Sequence, residues 1–165
     1  MKDKIEMIIT MLETEKTLLQ LKKEKNNAEM WKCDLLINYY MEIRQEMFIR
    51  LNRKRNDLNE YNSILSLLEK IPSKLLDKLE SFISENNYLE KVIDTEQEIL
   101  EIEEKDSDIK NTIIQIKKRK KQLIDKNANI EKKLILIDEK LDQPIDMIDE
   151  ITINNKLLHK KTKHK

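Results

Sequence analysis

Residues 88–141 read YLEKVIDTEQEILEIEEKDSDIKNTIIQIKKRKKQLIDKNANIEKKLILIDEKL, and this stretch decides the fold. Counted in heptads from Val92, about 11 of its 15 inward positions (a and d) are apolar. The a positions are Val92, Ile99, Asp106, Ile113, Lys120, Asn127, Leu134 and Leu141, and the d positions are Thr95, Ile102, Ile109, Ile116, Leu123, Ile130 and Ile137. A stripe this narrow cannot wrap a globular core. It predicts one long helix covered by a second helix.

A second series of heptads runs from Ile5 to Leu89 on a single phase, and roughly 18 of its 25 a and d positions are apolar. Its a layer is interrupted by basic residues such as Lys16 and Lys23, which favours a partner with carboxylates or apolar cover over a symmetric homodimer. Pro72 interrupts the helix because it has no amide hydrogen. Since the phase continues across it, we expect a kink or short hinge there and not a full reversal.

These patterns predict the all-α class, with elongated long helices or a coiled coil and no compact globular core. We expect an N-terminal coiled-coil arm over 1–71 and a second arm over 72–142. Residues 143–165 would form a short amphipathic segment and a basic, disordered tail. The triplet Asp106-Ser107-Asp108 is the best candidate for a hairpin turn, because these residues are poor helix formers. We prefer a continuous helix, since the heptad phase is kept through the triplet.

Composition limits the function classes. The chain has 165 residues, no glycine, one cysteine (Cys33) and a net charge of zero. Without glycine there is no glycine-rich phosphate loop, and His159 and His164 stand near the C-terminus without a catalytic constellation. We therefore expect a non-enzymatic protein with no cofactor, no metal and no small-molecule substrate. No apolar run approaches the length of a membrane span, so we expect a soluble, intracellular protein without membrane contact.

The heptad seam supplies the candidate partner interface, to be covered by other helical subunits in a heteromeric assembly. Its predicted contact residues are Ile37, Tyr40, Met47, Leu51, Leu58, Leu65, Leu68, Leu79, Phe82, Ile99, Ile102, Ile109, Ile113, Ile116, Leu123, Asn127, Ile130, Leu134, Ile137 and Leu141. Asn127 is the most interpretable of them, because one asparagine at an a position fixes register at some cost in stability. The alternative is that this asparagine only reflects the asparagine-rich composition of the chain, at a seam position that tolerates a polar residue.

Two clusters stand out beside the seam. The basic residues Lys117, Lys118, Arg119, Lys120 and Lys121 are consecutive, resemble a nuclear import motif and could contact phosphates. A solvated or partner-facing surface is the alternative, because on a helix the five side chains spread around the axis. The aromatic residues Trp31, Tyr39, Tyr40 and Phe48 lie close together in a chain with only seven aromatics. They indicate either ordinary seam packing or a place where a third helix docks.

Residues 67–70 (LLEK), residues 74–93 (KLLDKLESFISENNYLEKVI) and the run KKRKKQL ending at Leu123 carry a family resemblance. Together they resemble small coiled-coil subunits of the fungal inner kinetochore, especially the H-type subunit of the centromere-associated network. The resemblance implies a partner of similar shape, paired along much of its length, and a shared role in cradling a helical-repeat subunit at the centromere.

We therefore expect a structural or assembly subunit of a nuclear multiprotein complex, with the inner kinetochore as the specific candidate. Two alternatives remain. One is a nucleic-acid-contacting coiled-coil protein that uses residues 117–121 and the C-terminal tail. The other is a homodimeric cytoskeletal or spindle rod, and the cytoplasm is then the alternative location. Because the apolar stripes would otherwise face water, we expect the isolated chain to be marginally ordered.

Overall fold

The structure, a computed structural model, describes residues 2–143 and contains three α-helices in that range. They are α1 (Lys2–Glu69), α2 (Ser73–Glu85) and α3 (Tyr88–Leu141). The described residues contain no strand, which confirms the all-α class with long helices. The expected amphipathic segment and basic tail lie, from residue 144 onward, outside the described residues.

The helices divide into two compact units, each of which combines parts of both expected arms. In the first unit, residues 2–34 of α1 pack against residues 118–141 of α3. The ion pairs Lys16–Asp138 and Lys23–Glu131, both 2.6 Å, fix an antiparallel arrangement, because the numbers fall on one helix as they rise on the other. The core of this unit consists of Ile8, Leu12, Leu19, Ile130, Leu134 and Ile137, with Leu141 packed against it.

The second unit contains residues 35–117, namely the rest of α1, all of α2 and the first part of α3. Its long helices are antiparallel as well, since Lys54 forms an ion pair with Glu98 and the rings of Tyr61 and Tyr88 lie 6.1 Å apart. On α2, Leu76, Leu79 and Ile83 are half-buried and occupy one helical face. Each unit is thus held by helix-to-helix packing of apolar stripes.

The heptad register agrees with the burial of the two long helices. Every a and d position of α1 from Ile5 to Leu68, and every a and d position of α3 from Val92 to Leu141, is buried or half-buried. Leu123 has the smallest exposed fraction, 1%. The residues 106–108 lie inside α3, so the continuous helix is correct and the hairpin at this triplet is not. Asp106 is a half-buried seam residue.

The chain reverses between Glu69 and Tyr88, which corrects the expectation of a mere kink at Pro72. Two helix breaks produce the reversal. Pro72 ends α1 because it cannot continue the amide ladder, and Asn87 starts α3 because its side-chain oxygen accepts a hydrogen bond from the backbone N–H of Glu90 at 3.1 Å. The side-chain amide of Asn86 donates to the Phe82 carbonyl at 3.3 Å, at the end of α2.

The expected phase also fails beyond Pro72. Leu75 is 50% exposed, Phe82 46% and Leu89 61%, although all three were assigned to d positions. Phe82 is therefore wrongly placed in the seam, whereas Leu79 is half-buried on the packed face of α2. The reason is that α2 is a separate helix between two breaks, so it does not inherit the register of α1.

Because the chain reverses, its two seams cover each other. The positions that we expected a separate chain to cover are covered, within residues 2–143, by another helix of the same chain. The apolar stripes consequently do not face water, and the physical basis for a marginally ordered isolated chain is removed. Any partner helix that binds this conformation must use other surfaces.

Candidate partner-binding surface

A chain of asparagine side chains crosses the seam of the first unit. The Asn26 amide donates to Oδ1 of Asn127 at 2.9 Å, and the Asn127 amide donates to Oδ1 of Asn27 at 2.8 Å. Asn127 is 9% exposed, so these bonds satisfy polar atoms that are largely removed from water. A slip by one heptad would separate them. These hydrogen bonds are the contacts through which Asn127 can fix the register, and its partner Asn26 lies in the same chain.

The seam of the second unit contains an ion pair between Arg44 and Asp106. The guanidinium donates from Nε at 2.9 Å and from Nη2 at 3.3 Å to the two carboxylate oxygens. These hydrogen bonds lower the pKa of Asp106 below its ordinary value and raise that of Arg44. Two adverse seam residues therefore compensate each other, which explains why α1 tolerates arginine at an a position.

Ion pairs divide the basic cluster at 117–121. Arg119 donates to Glu29 at 3.0 Å and Lys120 contacts Asp34 at 2.6 Å, both on α1. Lys117, Lys118 and Lys121 are exposed. The five residues accordingly do not form one continuous basic site, because two of them take part in helix pairing.

The aromatic cluster is divided between the seam and the solvent. Tyr40 is half-buried in the seam, as expected from its d position. In contrast, Trp31 is 68% exposed, Tyr39 57% and Phe48 62%. In the second unit, Phe48, Met41 and Ile49 line a cleft of about 480 Å³ beside Ile102. Ordinary seam packing therefore explains Tyr40 and leaves the other three side chains unexplained.

A second apolar stripe lies on the outer face of α1 in the first unit, and we call it the outer stripe. It consists of Met7, Met11, Leu18 and Leu21, which are 60%, 52%, 56% and 56% exposed. These residues occupy the c and f heptad positions, diametrically opposite the seam. Thr14 completes the spacing of four and three residues, and its hydroxyl donates to the carbonyl of Thr10 at 2.7 Å.

We missed the outer stripe because the sequence was read only at a and d positions. The signal was present, since the same alternating spacing of four and three recurs over residues 7–21 with another phase. A helix with apolar stripes on opposite faces can pack between two others. Here one face is covered by α3, and no described residue covers the other.

Charged residues flank the outer stripe in the b and g rows of the helix. The acids are Asp3, Glu15, Glu24 and Glu29, against one base, Lys22. Glu29 is engaged by Arg119. Lys4 and Lys25 stand at the two ends of the stripe, in its c row, so the surface is apolar along its centre and carries charges of both signs around it. Such a surface suits an amphipathic helix with apolar residues at heptad spacing and charged residues beside them.

Metal-binding clusters and membrane-spanning helices are absent from residues 2–143. That part of the chain holds no group of three or more His, Cys, Asp or Glu side chains placed to bind a metal ion. His159 and His164 lie outside it. Over the same residues, no helix combines the length and the apolar character that crossing a bilayer requires. Cys33 is buried in the seam as a free thiol.

Comparison with models of known protein families, with characterised proteins and with solved structures gave no match to this chain. Function must therefore be inferred from the surfaces described above.

Proposed function

We propose that this protein is a non-enzymatic assembly subunit that binds a partner helix along the outer stripe of α1. The observation that carries the proposal is the exposure of four large apolar side chains at heptad spacing on a helix whose seam is already covered. Burying roughly 400 Å² of such surface would contribute on the order of 10 kcal/mol before the costs of association. The charges of both signs around the stripe suit a partner helix that carries acidic and basic residues beside its apolar face.

The heptad partnering expected from the sequence is retained in this proposal, but its surface changes. Seam residues such as Ile113 and Leu123 stabilise the helix pair within the chain, and the outer stripe supplies the contact between chains. We further propose that the complex is nuclear, and the family resemblance given by residues 67–70, 74–93 and 117–123 makes the inner kinetochore the specific candidate. A fluorescent fusion expressed in a fungal cell should then form centromeric foci, and uniform cytoplasmic fluorescence would contradict the nuclear assignment.

The direct test is copurification from the native source followed by lysine crosslinking. Lys4, Lys22 and Lys25 flank or interrupt the outer stripe. We expect crosslinks from these lysines to one helix of a partner, and that helix should carry an apolar heptad stripe. Crosslinks that join only two copies of this chain would instead indicate the homodimeric rod.

Two matched variants distinguish binding through the outer stripe from nonspecific binding through any exposed apolar residue. Leu18→Gln with Leu21→Gln should abolish recovery of the partner, because it places two amides in the apolar contact. Ile135→Gln with Leu136→Gln is the control, since those residues are 51% and 56% exposed on α3. Both variants should keep the helical circular dichroism of the parent. Equal recovery with both variants would exclude the outer stripe as the binding surface.

A further inference from the structure

A groove runs along one edge of the first unit, between α1 and α3, with Leu19 and Ile130 among its lining residues. It has a volume of about 460 Å³, and we call it the basic groove. Its lining includes five cationic side chains, Lys22, Lys25, Arg119, Lys126 and Lys133. Three of them, at 119, 126 and 133, repeat every seven residues along α3, which places them about 10 Å apart on one face.

The lysines of this groove lack compensation. Its one lining carboxylate, Glu29, accepts a hydrogen bond from Arg119 at 3.0 Å. Within residues 2–143, none of Lys22, Lys25, Lys126 and Lys133 forms an ion pair. Positive side chains from two helices therefore line the same groove, and the four exposed ammonium groups are accessible to an anion.

On the other edge of the same helix pair, by contrast, the lysines are paired with carboxylates. There Lys16 contacts Asp138 and Lys23 contacts Glu131, each at 2.6 Å. The hydrogen bond to Asp138 raises the pKa of Lys16 above its ordinary value. Every lysine in that groove has a carboxylate from the facing helix. The pairing of α1 with α3 thus explains the lysines of one edge and leaves four lysines of the other without a structural role.

We propose that the basic groove binds the phosphate backbone of a nucleic-acid duplex without reading its sequence. Lysine ammonium groups and the Asn129 amide are donors for phosphate oxygens, whereas the lining holds no aromatic side chain on which an unpaired base could stack. Lys118 and Lys132 are also exposed in the neighbouring row of α3, with the exposed Asp125 between them. Such a surface suits an extended polyanion better than a single small anion.

A duplex fits better than an acidic polypeptide because of charge spacing. A duplex carries one charge per roughly 1.7 Å of its axis, so each lysine meets a phosphate in any register. An acidic helix would have to match cations spaced about 10 Å apart along α3. Lys22 and Lys25 also border the outer stripe, but the stripe itself is apolar and binds through Leu18 and Leu21, which the groove does not contain. A failure to bind DNA would therefore leave the proposed assembly function untouched.

The test is the salt dependence of binding to a fluorescein-labelled 25-base-pair DNA duplex, measured by anisotropy on the full chain. The groove variant carries Lys22→Gln, Lys25→Gln, Lys126→Gln and Lys133→Gln. Removing four phosphate contacts should reduce the slope of log K against log salt by about 3.6. The C-terminal lysines stay in every protein, so the difference isolates the groove.

The matched control changes four exposed lysines of the second unit, with substitutions Lys70→Gln, Lys74→Gln, Lys78→Gln and Lys105→Gln. This control changes the net charge by the same amount as the groove variant. Its slope of log K against log salt should differ from that of the parent by less than one unit. An equal reduction of the slope in both variants would show that DNA is attracted by overall charge and not by the groove, and would overturn the proposal. The absence of DNA binding at 50 mM salt would overturn it as well. Polyglutamate that competes as well as unlabelled duplex at equal charge would identify an acidic polypeptide as the ligand instead.

Discussion

Replacing the seam asparagines by leucine should raise stability and relax register, and this follows from their mutual hydrogen bond. Asn26 and Asn127 satisfy each other across the helix pair at 2.9 Å, with Asn127 only 9% exposed. Asn26→Leu alone gains about 1 kcal/mol of apolar burial but leaves the Asn127 oxygen without its donor, at a cost of about 1–3 kcal/mol. The single variant should therefore be no more stable than the parent.

The double variant Asn26→Leu with Asn127→Leu removes both polar groups from the seam. It should be more stable than the parent by about 2–3 kcal/mol, because two leucines then pack against each other. Asn27 loses its donor, but it is exposed and can bond to water. The coupling between the two sites should exceed about 1 kcal/mol in urea unfolding followed by circular dichroism. Additive effects, or a double variant less stable than the parent, would refute this reasoning.

Register gives the second readout of the same experiment. Carbodiimide joins contacting lysine and carboxylate groups without a spacer, so the parent should yield the Lys16–Asp138 and Lys23–Glu131 products. In the double variant, a product joining Lys23 to Asp138 should appear, since a slip by one heptad brings these residues together. If that product is absent while stability rises, the asparagines do not determine the register.

Three further outcomes follow from single contacts. Leu123→Ala should lower the free energy of unfolding in urea by about 2–4 kcal/mol, whereas the exposed Ile124→Ala should change it little, and equal effects would contradict the seam assignment. Asn87→Ala should cost about 1 kcal/mol through loss of the α3 cap, and an unchanged unfolding midpoint would argue against that cap. The Arg44 hydrogen bonds hold the pKa of Asp106 below its ordinary value, so the carboxylate's contribution is complete above about pH 4 and is lost as pH falls further. Asp106→Asn should therefore flatten part of the decline in melting temperature below about pH 4, and a profile parallel to the parent would show that the pair contributes nothing.

The long helices were predictable because their apolar spacing is regular and glycine is absent. Burial follows the predicted a and d positions up to Leu68 on α1 and throughout α3. The reversal was not predicted, since Leu75, Phe82 and Leu89 happen to continue the heptad spacing beyond Pro72. The Asn86-Asn87 pair was the available signal, because asparagine is favoured at helix ends.

The outer stripe was not predicted, for a different reason. Heptad spacing shows that a stripe must be covered, but it does not show which helix covers it. The basic a positions of α1, including Arg44, and the acidic Asp106 of α3 were complementary in the sequence, and the structure joins them. Once the two seams cover each other, the outer stripe, at c and f positions of α1, is one of the apolar surfaces that remain exposed.

The central claim is that the helices α1 and α3 of one chain cover each other. It is tested most directly by mixing chains labelled with nitrogen-14 and nitrogen-15, unfolding and refolding them together, and coupling the Lys23–Glu131 contact with carbodiimide. Pairing within a chain predicts crosslinked peptides that are wholly light or wholly heavy. A population in which about half of these peptides join a light to a heavy partner would show that the seams pair between copies, and would contradict the account.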